Sequence, residues 1–269
     1  MPPIALLTDF GRGSWYVGVM KGVVAGISPA ASVIDLSHDV AAQDVSEGSF
    51  ILGSAFGYFP AGTIFVAVVD PGVGGDRRNL VVKTERHLFV APDNGVLSSA
   101  LDRSTVEAIR EIVPGRYTLA PRGSTFLGRD VFAPAAAHLS LGVPAEEMGG
   151  EAPSIHRLDR VEPFITEAGE IAARAAHIDA FGNIVTNVDE AFLARVFPGE
   201  IPRDDLAVRI AGRTIRGIRR FYAQAAPGDP VALVDGWGLV EIAVSSGSAA
   251  RTFGITDKKS LEILISRAL

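Results

Sequence analysis

The stretch Thr63-Ile64-Phe65-Val66-Ala67-Val68-Val69, running into Asp70-Pro71-Gly72-Val73-Gly74-Gly75-Asp76-Arg77-Arg78, decides the fold. An unbroken run of β-branched, aromatic and small apolar residues of this length reads as a buried strand, and Asp70-Pro71-Gly72 ends it. Upstream, Ile4 to Leu7 is a second short apolar run that stops at Thr8-Asp9-Phe10-Gly11. Tyr16 to Ile27 has helical apolar spacing and is closed by Ser28-Pro29. Ser32 to Leu36 reads as a strand. Asp44 to Phe59 reads as a helix, with Asp44 as cap, Glu47 three residues on and Pro60 as the stop. Strand, helix, strand, helix, strand is the rhythm of a parallel sheet covered by helices. Downstream, Leu80 to Lys83 and His87 to Val90 form a strand pair, Pro92-Asp93-Asn94-Gly95 a turn, and Val131 to Leu141 an Ala-rich helix closed by Gly142 and Pro144.

The remainder has a different texture. Ile171 to Ile178, Ile184 to Val188, Leu206 to Ile210, Arg213 to Ile218, Val231 to Val234, Leu239 to Val244 and Leu261 to Ile265 all read as short strands between turns. That pattern predicts an all-β unit, a small barrel or sandwich. The polar residues His156, Arg157, Asp159, Arg160 and Glu162 mark the boundary. The expected organisation is an α/β N-terminal domain over 1–160, with a mostly parallel central sheet flanked by helices. An all-β C-terminal domain, a small barrel, follows over 170–269.

Composition narrows the function. The 269 residues carry 25 Lys+Arg against 31 Asp+Glu, a net charge of −6, which argues against a duplex nucleic-acid binder. Zero Cys excludes disulfides, thiolate catalysis and Cys-ligated zinc, and suits a reducing cytoplasm. Met1-Pro2-Pro3-Ile4 shows no basic segment leading into an apolar one, and no apolar run approaches the ~20 residues of a membrane helix, so neither targeting nor membrane insertion is expected. The five His (His38, His87, His138, His156, His177) show no metal-ligand spacing, and no metal is expected. The G-x-S-x-G elbow, the phosphate-loop lysine and the G-x-G-x-x-G spacing are also missing.

In parallel α/β sheets ligands bind beyond the carboxyl ends of the strands. Asp9 and Asp70 both follow strands there. Asp9 can accept hydrogen bonds from a sugar diol, or it can serve a turn. Asp70 and Arg77, seven apart across a Gly-bent loop, can converge. A guanidinium and a carboxylate together can hold a water, and they can equally pin a loop. Asp179-Ala180-Phe181-Gly182-Asn183, between two strands, suits recognition of an amine and a heteroaromatic edge, and suits a hairpin turn as well. Phe221-Tyr222 and Trp237 can stack a base or pack a core.

Six segments then fall in the order of one family: Thr8-Asp9-Phe10-Gly11; Val69 to Gly74 with Arg77-Arg78; Ala91-Pro92-Asp93-Asn94-Gly95; Thr125-Phe126-Leu127-Gly128-Arg129-Asp130; Asp179 to Asn183; and Glu241 to Val244 with Gly247-Ser248-Ala249-Ala250. The chain resembles the S-adenosyl-L-methionine hydroxide adenosyltransferases, or SAM hydrolases, relatives of the fluorinase and chlorinase. The resemblance implies hydrolysis of S-adenosyl-L-methionine to adenosine and L-methionine by attack of water or hydroxide at C5′. It also implies no cofactor, and a homotrimer with sites between one subunit's N-domain and the next one's C-domain. By the same resemblance Asp70 and Arg77 position the nucleophile, Asp9 takes the ribose hydroxyls, Asp179 the methionine amine, and Asn183, Phe221 and Ser246 the adenine. Two residues depart from the pattern. Leu127 stands where the hydrolases place His, and Gln43 replaces an aromatic. A halide-dependent transferase and a nucleoside-binding protein with weakened hydrolysis are the alternatives.

Overall fold

The computed structural model describes every residue except 121, 122, 160, 199–202, 256–260 and 269. Arg160, expected at the domain boundary, lies outside the described residues. The chain divides into two compact units, Met1–Asp159 and Arg160–Leu269.

The first unit is built on six strands: β1 (Ile4–Thr8), β2 (Val33–Ser37), β3 (Ile64–Val68), β4 (Asn79–Thr84), β5 (Leu88–Pro92) and β6 (Val106–Glu111), in the spatial order β2-β1-β3-β5-β4-β6. β1 pairs in parallel with β2 and β3, and β3 with β5, whereas β4 runs antiparallel to both β5 and β6. Helices α1 (Trp15–Ile27), α2 (Val45–Ala55), the short α3 (Ser98–Leu101) and α4 (Ala133–Ser140) complete the layers. Alternation along the strands explains the layering. Ile4, Leu6, Ile64 and Val66 pack with Met20 and Val24 of α1 and Ala136 of α4. Ala5, Leu7, Phe65 and Ala67 pack with Leu52 of α2 and Leu101 of α3. Each large apolar side chain so buried contributes roughly 1.5–3 kcal/mol, which is why β3 reads as continuously apolar instead of alternating.

The helix starts follow their caps. Ser14 Oγ accepts from the Tyr16 N–H and Asp44 Oδ1 from the Glu47 N–H. The buried Glu47 carboxylate accepts from the Ala41 N–H at 3.0 Å, outside the helix. The expected helix from Val131 begins later, because Gly128–Phe132 forms a π-helical turn ahead of α4.

The second unit holds two five-stranded sheets. In chain order its elements are β7 (Phe164–Ile165), β8 (Ile171–Ala173), β9 (Ala175–Ile178), β10 (Ile184–Asp189), α5 (Glu190–Val196), β11 (Leu206–Ile210), β12 (Arg213–Arg216), β13 (Ile218–Arg219), β14 (Pro230–Val234), β15 (Leu239–Val244), α6 (Ala249–Thr252) and β16 (Ile263–Arg267). The sheet orders are β13-β14-β15-β10-β9 and β12-β11-β16-β8-β7, antiparallel except for β13 with β14. Ile184, Val240 and Ile242 from the first meet Ile171, Val208, Ile263 and Ile265 from the second in one core.

Two runs expected as single strands are each broken in two, and each break carries the chain from one sheet to the other. At Arg174, between β8 and β9, the Arg174 N–H donates to Asn187 Oδ1 at 2.8 Å and the Asn187 N–H returns a bond to the Arg174 carbonyl at 3.0 Å. Gly217, between β12 and β13, takes φ 79°, a backbone state natural only to glycine. Corners of this kind join the sheets of orthogonally packed sandwiches and barrels. The sequence reading assigns no element at β6, β7 or α5, where the apolar runs are interrupted by charge or are only two residues long.

Candidate active site

The Gly-bent loop after β3 brings Asp70 and Arg77 together. Arg77 Nε donates to Asp70 Oδ1 at 2.9 Å and Nη2 donates to Oδ2, a forked pair whose side chains are only 5% (Asp70) and 11% (Arg77) exposed. Arg77 Nη1 donates to Asn79 Oδ1 at 2.5 Å and to the Arg78 carbonyl at 3.4 Å. A guanidinium has about five N–H hydrogens. Those four bonds leave one Nη2 hydrogen without an acceptor among the described residues, beside the remaining lone pairs of Asp70. The Arg77 guanidinium lies over the buried Phe132 ring, 5.8 Å from its centroid. Gly74, at φ 82°, fits only because it lacks a side chain, since a Cβ there would stand 2.9 Å from the Ser124 carbonyl. The loop is thereby packed against the 124–132 segment that carries Leu127.

Neighbouring groups fix where the loop begins. Asn94 Nδ2 donates to the Val69 carbonyl at 2.8 Å, immediately before Asp70, and Asn94 Oδ1 accepts from the Val96 N–H. Arg78 forms a second fork, donating from Nε and Nη2 to Asp93 Oδ2 at 2.9 and 2.5 Å. Leu127 is half-buried and packs with Phe126 against the α1–α4 side of the sheet. Phe126, Phe10 and Tyr16 stand edge to face at 4.9–6.2 Å between centroids.

Asp9 is not drawn into the Asp70–Arg77 pair. Its Oδ2 accepts from the Gln43 N–H at 2.8 Å, and Gln43 holds φ 65° to present that N–H. A non-glycine residue in this region costs of order 1 kcal/mol or more, a strain commonly kept at functional sites.

In the second unit Asp179 and Asn183 are joined. Asp179 Oδ1 accepts from the Phe181 and Asn183 N–H groups at 2.9 and 2.8 Å, and Oδ2 accepts from Asn183 Nδ2 at 3.0 Å. Asn183 is buried, while Phe181 and Phe221 are exposed. Ser246 occupies the loop after β15 at φ 55°. Glu241, which opens one of the family segments but has no role assigned from the sequence, interrupts an otherwise apolar strand. It is buried on β15 and accepts from the Tyr222 hydroxyl at 2.8 Å. Burial pushes its carboxyl up to about 7; the charges of Asp179 and Asp235 add to this and the Tyr222 bond opposes it. Burial, then the Glu241 bond, raises the Tyr222 hydroxyl as well.

Among the described residues no group of His, Asp or Glu is placed to hold a metal ion, and no helix is long and apolar enough to cross a membrane.

Comparison with known proteins completes the picture. The family model of the SAM hydroxide adenosyltransferase N-terminal domain matches residues 4–149, and that of the C-terminal domain matches residues 173–262. This chain belongs to the SAM hydroxide adenosyltransferase family. Within that family it is 37% identical to the (R)-S-adenosyl-L-methionine hydrolase of Thermus thermophilus, over 98% of this chain and 100% of the relative. It is likewise 37% identical to the hydrolase of the same name from Salinispora arenicola, over 97% of each. A fluorinase from an Actinoplanes species is 23% identical over 99% of this chain and 98% of its own length. Among solved structures, an uncharacterized protein from Thermotoga maritima superposes with TM-score 0.89 at 35% identity, covering 98% of this chain and 100% of the other.

Proposed function

We propose that this chain hydrolyses S-adenosyl-L-methionine to adenosine and L-methionine, with Asp70 and Arg77 as the catalytic pair. The forked pair carries the reading, and the hydrolase relatives at 37% identity over nearly the whole chain support it. The sulfonium is already a cationic leaving group, so the protein has no leaving atom to protonate. Its task is to place an oxygen in line behind C5′ and to strip it of bulk water. The spare Nη2 hydrogen of Arg77 donates to that oxygen and Asp70 accepts one of its hydrogens. As the O–C5′ bond forms, the C5′–S bond breaks, and its electron pair returns to sulfur as the neutral thioether. That hydrogen leaves as a proton through Asp70 to solvent, and the water's other hydrogen stays on the 5′-hydroxyl of adenosine.

Charge favours water over halide here. The fork is neutral as a unit, and two like charges 4 Å apart repel by about 1–4 kcal/mol in water-like to surface-like surroundings. Arg77 has already spent its charge on Asp70, so a halide beside that carboxylate gains no compensating cation. We assign Asp9 to the ribose hydroxyls through its Oδ1, which has no hydrogen-bond partner among the described residues, Asp179 to the methionine amine, and Asn183, Phe221 and Ser246 to adenine. The α/β unit, read as 1–160, supplies the nucleophile side. The β unit, 170–269, read as a small barrel closed by the Arg174 and Gly217 corners, supplies the adenine side. We take the working form to be a cytoplasmic homotrimer that completes each site between subunits and uses no cofactor.

The test is product identity. Incubation with S-adenosyl-L-methionine and chloride, followed by chromatography, is expected to yield adenosine and methionine. Accumulation of 5′-chloro-5′-deoxyadenosine overturns the reading in favour of a halide transferase. Tight binding with no product overturns it in favour of a binding protein.

A further inference from the structure

We infer that Asn79 is a positioning residue that aims the Arg77 guanidinium at the nucleophile; this rests on the hydrolase reading above. The loop from Asp70 to Arg78 is fastened internally: the Val73 N–H bonds to the Asp70 carbonyl at 3.2 Å and the Gly75 N–H to the Gly72 carbonyl at 3.0 Å. Arg77's other side-chain acceptors, Asp70 and the Arg78 carbonyl, flank or belong to that same loop. Asn79 differs in kind. It opens β4, lies opposite Pro92 of β5, and its carbonyl accepts from the Ile112 N–H at 2.7 Å. Its backbone is thus part of the sheet while its side chain reaches Arg77.

The amide's orientation follows from chemistry. A guanidinium only donates, so the oxygen of Asn79 must face Nη1. That bond fixes rotation about the last torsions of Arg77, which the Asp70 fork alone would let swing with the loop. It thereby determines where the one spare Nη2 hydrogen points. A neutral acceptor also matters. A carboxylate at 79 would give Arg77 two anions to serve and leave the nucleophile site net negative, which disfavours hydroxide character on the attacking water.

Steady-state kinetics on S-adenosyl-L-methionine test this with wild type, two Asn79 variants, Arg77→Ala and the Arg77→Ala/Asn79→Ala double variant. Wild type is expected to release adenosine. Asn79→Ala is expected to lower kcat by roughly 10–100-fold, with KM within about twofold, because a misaimed group costs the chemical step and not binding. Asn79→Asp retains the acceptor and is expected to shift the pH dependence of kcat to the alkaline side by about one unit, the signature of an added negative charge. In an Arg77→Ala background, Asn79→Ala is expected to change kcat by less than about twofold, since residues acting as one unit are non-additive. An undiminished loss in that background, or an Asn79→Asp profile identical to wild type, overturns the positioning role and leaves Asn79 a structural residue. Should wild type itself release no adenosine, the hydrolase reading fails. Slowed or unchanged hydrogen exchange at the Arg77 guanidinium by nitrogen NMR in Asn79→Ala then still contradicts the positioning role, and accelerated exchange supports it.

Discussion

Arg77 and Arg78 are neighbours, and each forks onto one aspartate, yet the two pairs are anchored differently. The Arg78–Asp93 pair reaches across the sequence. Arg78 Nη2 also donates to the Ser154 carbonyl at 2.9 Å, and Asp93 Oδ1 accepts from the His156 N–H at 2.7 Å. It ties the loop after β3, the turn after β5 and the end of the first unit into one staple. Among the described residues the Arg77–Asp70 pair, by contrast, hydrogen-bonds outside itself only to Asn79 and the Arg78 carbonyl. Among the described residues its carboxylate accepts two bonds where that of Asp93 accepts three. On the proposed function, the donor and lone pairs that the Asp70–Arg77 fork does not spend are the ones that meet the attacking water.

Removing each acid separates the two roles. Asp70→Asn is expected to cut adenosine release per folded molecule by about 10²–10⁴-fold, as befits loss of a group that takes a proton. Activity within threefold of wild type would remove Asp70 from the mechanism. Asp93→Ala is expected to do the reverse. It strands Arg78 and the His156 N–H, and denaturant titration should show a loss of about 3 kcal/mol with activity per folded molecule nearly intact. An equal loss of activity would collapse the distinction.

Leu127 sharpens the comparison on the catalytic side. By the family resemblance, it places an apolar side chain where the hydrolases carry an imidazole that can orient water. Leu127→His is expected to raise adenosine release by about tenfold near neutral pH, within the range of a positioned general base. No gain would mean that the Asp70–Arg77 fork is sufficient alone. The smallest effect concerns Glu241, the buried acid of the β unit. Its folded value, about 7, lies above the ordinary carboxyl value. Its protonated form therefore favours the fold at low pH, and that contribution is lost as pH rises through 7. Glu241→Gln, which keeps an acceptor for Tyr222, should melt above wild type at about pH 8 and converge with it by about pH 4.5. Equal melting at both pH values would show that the carboxyl is not held protonated by its surroundings.

Much of the α/β unit is legible in the sequence because its signals are local. The β3 run, the Asp44 cap and the Gly-bent turn each announce themselves within a few residues. The β unit is less legible. Arg174 and Gly217 sit within runs that read as continuous strands, and the turn between sheets there depends on partners such as Asn187, thirteen residues away. The candidate site divides in the same way. The Asp70–Arg77 pair is visible as a spacing across one loop. The Gln43 N–H on Asp9 is not, because it depends on a strained backbone angle and on a segment 34 residues removed. Asn79 hides as the first residue of a strand, and Glu241 hides as one polar letter in an apolar one.

Turnover in water enriched in oxygen-18 addresses the central claim most directly. The account predicts that mass spectrometry finds the heavy isotope in the 5′-hydroxyl of the adenosine released by wild type, and that Asp70→Asn forms this labelled product at least a hundredfold more slowly. Adenosine with a light 5′-oxygen, or labelling that proceeds as fast without the Asp70 carboxylate, would contradict it.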